Sequence, residues 1–253
     1  MRSGKLPLVL GALSIATLLG AWETGGRLGY LNPVLVPRPS LVLQTLWEIL
    51  ASGEVLAPLS HTLFLFGIGY GLACLIGVTL GILMGQSPFM YGLCEPLVEL
   101  LRPLPKSALV PALFLFLGIG PTTMITVVVL AAVFPVLINT LQGVRSIDPV
   151  LLDTARTFHT SRSRTILSVV LPAAMPMILS GMRVGLGLGL VLVVLAEMLA
   201  GDSGIGFLIL DLQRAFQIRE MYAWVVILAV LGGALTILFD FTDRKLVPWR
   251  GQT

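Results

Sequence analysis

"LLDTARTFHTSRSRTILSVVLP", Leu151 to Pro172, is a charged insert in an otherwise apolar chain. It holds Arg156, Arg162, Arg164, Asp153 and His159. The run before it, Thr122 to Leu141, has no charged residue, and the run after it, Ala173 to Ala200, has only Arg183 and Glu197. Whether those flanks cross a membrane decides the fold. Across the chain 56% of residues are hydrophobic and 11% charged, where a soluble domain carries about 25% charged residues. A soluble fold of this length cannot hide so much apolar surface, so the expected solvent is lipid.

The insert reads as a helix–turn–helix. Asp148 is a good N-cap and Pro149 suits the first helical position, which predicts a helix over about 149–160. Leu151, Leu152, Ala155 and Phe158 fall on one side of it, and Asp153, Arg156, Thr157 and Thr160 mostly on the other. Ser161 can cap a second helix carrying Arg162 and Arg164, which Pro172 is expected to interrupt. Such an insert can lie on anionic lipid or dock into a groove on a soluble partner.

Working outward, a spanning helix needs about 20 mostly apolar residues. The first candidate runs from about Leu6 to Trp22. A retained span is favoured over a signal peptide, because no small-residue cleavage site follows it. Pro33, Pro37 and Pro39 then lead to a short interfacial helix, with Ser40 as its expected cap and Leu41, Leu43, Leu46, Trp47 and Leu50 on its apolar side. The second span covers about Thr62 to Met84. The third is broken: Gly92 to Leu101, then "RPLPKS", then Ala108 to Leu117. The fourth covers about Thr122 to Leu141, the fifth Ala173 to Ala200, and the sixth Tyr222 to Phe241.

Six spans put both termini on one side. With the N-terminus inside, the inner segments hold Arg2, Lys5, Arg145, Arg156, Arg162, Arg164, Arg244, Lys245 and Arg250, and the outer segments hold Arg27, Arg38, Arg214 and Arg219. That bias favours cytoplasmic termini and a cytoplasmic insert. Scattered basic loops do not make a nucleic-acid surface. Cys74 and Cys94 read as small apolar fillers, and no Cys/His cluster suggests a metal.

Glycines recur four apart at Gly77, Gly81, Gly85 and at Gly181, Gly185, Gly189, on one helix face each. They predict close helix packing, within the chain or at a subunit or gate interface. Ionisable groups at membrane depth are functional candidates by default. Glu197, near the outer end of the fifth span, is a candidate for path or gate, with a buried structural hydrogen bond as its alternative. Glu99, Arg102 and Lys106 flank the third-span break beside Glu95. They read as local ion pairs or as the lining of a water-filled path, since irregular backbone at that depth needs protein or water to cover it. Arg183 reads as a snorkelling side chain.

No catalytic residue is assigned. "GDSG", Gly201 to Gly204, resembles the nucleophile loop of trypsin-like proteases, but that chemistry needs a histidine base and an oxyanion hole. The topology puts His159 across the membrane from Ser203, so a turn is the preferred reading. "GIGYG" and "GLGLG" lie inside spans and lack phosphate-binding spacing.

The insert resembles the EAA loop of ABC import permeases, whose pattern is Glu-Ala-Ala, three residues, Gly, nine residues, a branched apolar residue, any residue, Leu-Pro. Asp153 stands for the Glu, Thr154 and Ala155 for the alanines, and His159 for the Gly. Val169, Leu171 and Pro172 complete the pattern at the right spacing. "LRPLPKSALVPALFLFLGIGP", "FPVLINTLQGVRSIDP", "LPAAMPMILSGMRVGLGLG" and "AEMLAGDSGIGFLI" are similar to the subgroup importing sulfonates, taurine and nitrate.

This resemblance implies an all-α permease of the type I importer fold, one domain over 1–253, multi-pass in a bacterial inner membrane. Its core would span 60–245, with the coupling loop at about 145–172, and 1–59 would hold the first span and the outer helix. It implies a homodimer, two ATPase subunits that hold ATP and Mg, a periplasmic or lipid-anchored binding protein, and no cofactor on this chain. Leu151, Leu152, Asp153, Thr154, Ala155, Arg156, Phe158, His159, Leu171 and Pro172 would form the ATPase-coupling region. Small sulfonates such as taurine are the first expectation for the cargo; nitrate, bicarbonate, pyrimidine precursors and vitamins are alternatives. A secondary transporter is the runner-up, but neither mid-membrane ionisable clusters nor an inverted repeat is evident.

Overall fold

The structure, a computed structural model, describes residues 6–247. Arg2, Lys5 and Arg250 of the charge comparison lie outside the described residues. Among the described residues the regular structure is all helical. The long helices are α1 (Leu6–Arg27), α3 (Leu56–Gln86), α6 (Pro121–Arg145), α9 (Leu171–Ala200) and α11 (Ile218–Leu246). Shorter ones are α2 (Pro39–Ser52), α4 (Pro88–Leu101), α5 (Lys106–Leu117), α7 (Pro149–Thr157), α8 (Arg162–Thr165) and α10 (Ile205–Arg214).

Four helices are long and apolar enough to cross a membrane: α3, α6, the continuous helix Arg162–Ala200, and α11. The pair α4 and α5 makes a fifth span, bent by 98° at its break. The 22-residue α1 is the expected first span, and its side chains from Val9 to Gly20 are exposed.

α6 lies at the centre, between α3 and α9. In lipid, apolar burial does not drive helices together, so close van der Waals packing must. Both glycine stripes supply it within this chain. A Cβ on Gly81 would meet the Thr140 side chain at 2.6 Å and the Leu137 carbonyl oxygen at 2.9 Å. Gly77 and Gly85 face Val136 and Val144 as closely. From the other side Gly181 sits against Asn139 and the Pro135 carbonyl, Gly185 against Ala132, and Gly189 against Phe66 and Val128. Gly69 extends the first stripe towards Val128.

The break between α4 and α5 follows from Pro103 and Pro105, which cannot donate to a helical ladder. The carbonyls it leaves at the end of α4 are gathered by one side chain. Lys106 Nζ donates to the oxygens of Leu101, Arg102 and Leu104 at 2.6, 2.9 and 2.9 Å. A cation at a helix C-terminus also offsets the helix dipole.

Two expectations at helix starts are corrected. α2 begins at Pro39, and Ser40 does not cap it with its own side chain. Instead the Ser40 N–H and hydroxyl donate to the Glu23 carboxylate of α1 at 3.1 and 3.0 Å, so a distant acid satisfies the orphan N–H. α2 buries Val42, Thr45 and Ile49 and leaves Leu43, Trp47 and Leu50 exposed. Nor does Pro172 interrupt the helix. A π turn, Ile166–Val170, precedes it, in which the Leu171 N–H reaches back to the Ile166 carbonyl. The wider turn absorbs the proline locally, and the helix runs on into α9.

Candidate functional site

At the end where α3 and α6 stop and α9 begins, α7 projects from the bundle. The Asp148 carboxylate accepts from the Val150 N–H at 2.9 Å, as a helix cap. The helix ends at Thr157, earlier than expected, because the chain turns left-handed at His159, φ 50°. The Thr160 N–H donates to the Ala155 carbonyl at 3.2 Å and the His159 N–H to the Arg156 carbonyl at 2.9 Å. Together these make a Schellman cap with His159 at the position that glycine usually fills. The Thr160 hydroxyl adds a bond to Ala155 O at 2.7 Å. Ser161 starts α8 with an extended backbone but no capping bond from its side chain.

The apolar side expected to hold Leu151, Leu152, Ala155 and Phe158 together divides in two. Ala155 is buried, and Leu152 packs on the cluster of Val144, Ile147 and Val170. Val150, Leu151 and Phe158 point away from the body, with Phe158 76% exposed. The first pair anchors α7 to the spans; the second set is unpartnered in the single chain. Asp153 and Thr154 are exposed, and Asp153 pairs with Arg156 at 3.0 Å. Leu171 and Pro172, half-buried, begin α9 behind the π turn.

At the opposite end of the bundle Glu197 is fully buried. Its carboxylate accepts from the Thr62 hydroxyl at 2.8 Å and from the Gly206 N–H at 2.9 Å. His61 Nδ1 lies 3.6 Å from it. Thr62 in turn accepts from the Ile205 N–H at 3.0 Å. The group thus joins α3, α9 and the start of α10. Gly204 and Gly206 make room: a Cβ on Gly204 would lie within 3 Å of the Glu197 carboxylate, and one on Gly206 within 3 Å of the Glu197 Cβ and the Val194 carbonyl.

His61, rather than His159, reaches the "GDSG" turn. Ser203 Oγ lies 2.9 Å from His61 Nε2 and donates to Asp202 Oδ1 at 3.0 Å. A cavity of about 690 Å³ opens beside them, lined also by Phe64 and Phe207. Serine, imidazole and carboxylate therefore meet, but Asp202 bonds the serine and not the imidazole that a hydrolase's carboxylate orients. The N–H groups of Ile205 and Gly206, at the nearby helix start, already serve Thr62 and Glu197. An oxyanion hole needs such donors free and aimed at the reacting oxygen.

Arg102 and Lys106 do not join Glu197. They line a separate cavity of about 370 Å³, with Phe134 and Asn139 of α6 and Leu188 of α9. Lys106 Nζ sits 4.6 Å over the Phe134 ring. Arg102 Nη1 is 3.7 Å from Glu99, and Glu95 accepts from the Tyr91 hydroxyl at 3.1 Å. Arg183 pairs with Asp240 of α11 at 2.8 Å rather than merely snorkelling. Among the described residues no group of three or more His, Cys, Asp or Glu side chains could hold a metal ion.

Comparisons with known proteins agree on one family. Residues 77–252 match the family described as "Binding-protein-dependent transport system inner membrane component". The taurine transport system permease protein of Escherichia coli (strain K12) is 32% identical over 264 residues, covering 99% of this chain and 92% of that protein. A Bacillus subtilis (strain 168) permease protein named for aliphatic sulfonates transport is 32% identical over 242 residues, covering 96% of this chain and 88% of its own. The nitrate import permease protein of Synechocystis is 30% identical over 243 residues, covering 94% and 88%. Among solved structures, an inward-facing methionine ABC transporter matches with a TM-score of 0.64 at 17% identity, over 83% of this chain and 98% of the matched chain. That likeness shows the type I importer permease fold expected from the sequence.

These relatives are transport subunits rather than enzymes, and ATP hydrolysis lies in separate partner chains. Family and fold together imply ATPase and substrate-binding protein partners. The chain belongs to the binding-protein-dependent inner membrane components, as a multi-pass permease subunit of an ABC importer.

Proposed function

We propose that two copies of this chain form the path of an importer for a small organic sulfonate, such as taurine or an alkanesulfonate, and that α7 is the helix that couples the path to the ATPases. The observation that carries the coupling role is the projecting α7 itself. Leu152 and Ala155 tie it to the spans, while Val150, Leu151 and Phe158 face outward. An apolar helical face of that kind suits a groove on a soluble partner. The distribution of Lys and Arg supports a cytoplasmic position for it, and for both termini.

The cargo reading draws on relatives named for aliphatic sulfonates, taurine and nitrate. Nitrate is the second reading. ATP binding to the partner subunits would draw the two α7 helices together and shift the path between inward-facing and outward-facing states. The physical requirement is that ATP binds one of those states better than the other.

Pull-down of the ATPase partner tests the coupling role. Leu151→Asp with Phe158→Asp is expected to abolish association while the permease still extracts as a folded protein. Undiminished association would remove α7 from the interface. For the cargo, binding of taurine, ethanesulfonate and nitrate to the cognate binding protein separates the readings.

A further inference from the structure

The cavity at the α4–α5 break holds a charge with few internal commitments. Its walls come from the middle of α6, at Phe134 and Asn139, and the middle of α9, at Leu188. Arg102 sits at the turn midway along the broken span. The cavity is therefore near mid-membrane, where an arginine facing lipid is costly and a water-lined path or partner subunit is the tolerated setting.

The two cations there are not equivalent. Lys106 spends its three donors on the carbonyls of Leu101, Arg102 and Leu104. It adds positive field but has no donor left for a ligand. Arg102 has five donors, and its one described partner is Glu99, three residues back, at 3.7 Å. Both side chains of that pair are more than half exposed, so the pair is weak and easily exchanged. Asn139 Nδ2 donates to the Pro135 carbonyl at 2.9 Å, and its second amide N–H is a further donor on the cavity wall.

We infer that Arg102 is the anion-binding residue of a station midway along the path, and that Glu99 pairs with its guanidinium when no substrate is present. This rests on the reading of the cargo as a small oxyanion. A sulfonate or nitrate offers two oxygens to the planar guanidinium, as a carboxylate does. It displaces the Glu99 carboxylate and takes its place. The cavity, about 370 Å³, has room for a two-carbon sulfonate, with Leu104, Ile138 and Leu188 as its apolar wall. Exchange between an internal and a transported anion keeps the site weak enough to release its cargo, as conduction requires.

Equilibrium binding of radiolabelled taurine, ethanesulfonate and nitrate to the purified permease–ATPase complex tests this, alongside uptake by proteoliposomes that also hold the binding protein. Arg102→Gln is expected to lower anion binding and uptake at least tenfold, while ATPase co-purification reports that the complex assembles. Arg102→Lys is expected to fall between Arg102→Gln and wild type, because it keeps charge but loses the two-oxygen contact. Glu99→Gln removes the competing carboxylate and is expected to tighten binding severalfold. If the wild-type complex transports none of the three anions, the cargo reading fails and takes the station with it. If the wild type transports one of them and Arg102→Gln binds it unchanged, or Glu99→Gln weakens binding, the station is overturned while the cargo reading stands.

Discussion

Glu197 and Thr62 are 135 residues apart in sequence, yet the Thr62 hydroxyl donates to the Glu197 carboxylate at 2.8 Å. This contact joins the far ends of α3 and α9, and the Gly206 N–H brings in α10. Glu197, which the sequence leaves between a path group and a buried structural hydrogen bond, is the acceptor of a buried three-helix junction.

The junction makes Glu197 a stability residue first. Glu197→Ala would leave the Gly206 N–H and the Thr62 hydroxyl buried without their acceptor, at about 1–3 kcal/mol for each unsatisfied group. Glu197→Gln should be milder but still destabilising, because one of its two acceptor oxygens becomes an amide donor. Both are expected to lower the melting temperature of the detergent-purified permease, and Thr62→Val should do the same. A large loss of uptake with unchanged melting would instead return Glu197 to the path.

His159 holds a left-handed conformation in the cap of α7. A side chain there costs about 1–2 kcal/mol relative to glycine. His159→Gly is therefore expected to keep ATPase association and to leave stability equal or slightly raised. His159→Val should weaken the cap, because a β-branched residue fits φ > 0 poorly. Thermal melting and pull-down of each variant check the order Gly, His, Val.

Phe216 has the same conformation at the end of α10, φ 57°. The Gln217 N–H reaches the Leu212 carbonyl at 2.9 Å and the Phe216 N–H the Gln213 carbonyl at 3.1 Å, a second Schellman cap. Phe216 is largely exposed, so glycine loses little packing there. Phe216→Gly is expected to raise the melting temperature by a few degrees; a fall would mean that the ring makes a contact beyond the single chain.

Gly81 meets α6 at a contact that leaves no room for a Cβ. Gly81→Ala brings a Cβ against the Thr140 side chain and the Leu137 backbone, and overpacking of this kind costs about 1–3 kcal/mol. Gly71, on the same helix, would place a Cβ in open space. Gly71→Ala is its control and should melt as wild type does. Equal melting of both variants would show that α3 and α6 separate without cost.

Much of this was legible in the chain itself. Runs such as Thr122 to Leu141 need lipid or protein on every side, so the spans could be placed from apolar length alone. Pro103 and Pro105 marked the break because they lack the N–H that a helix requires. Asp148 marked the start of α7 by its cap chemistry, and the EAA-like spacing pointed to the permease family. The expectation at Pro172 missed because a π turn is a small shift in hydrogen-bond partner, and no residue type announces it.

Linear order determined which helices are long and apolar enough to cross a membrane, where the broken span turns and where the charged insert begins, because those depend on local hydropathy and backbone donors. Tertiary structure alone decided what polar groups meet across distant stretches of the chain. Glu197 found Thr62 and Gly206, Ser203 found His61, and Ala155 turned inward while Phe158 stayed out. The reason is physical: a hydrogen bond acts over about 3 Å of space, and only the packing of α3, α6 and α9 through their glycines brings distant residues within that reach.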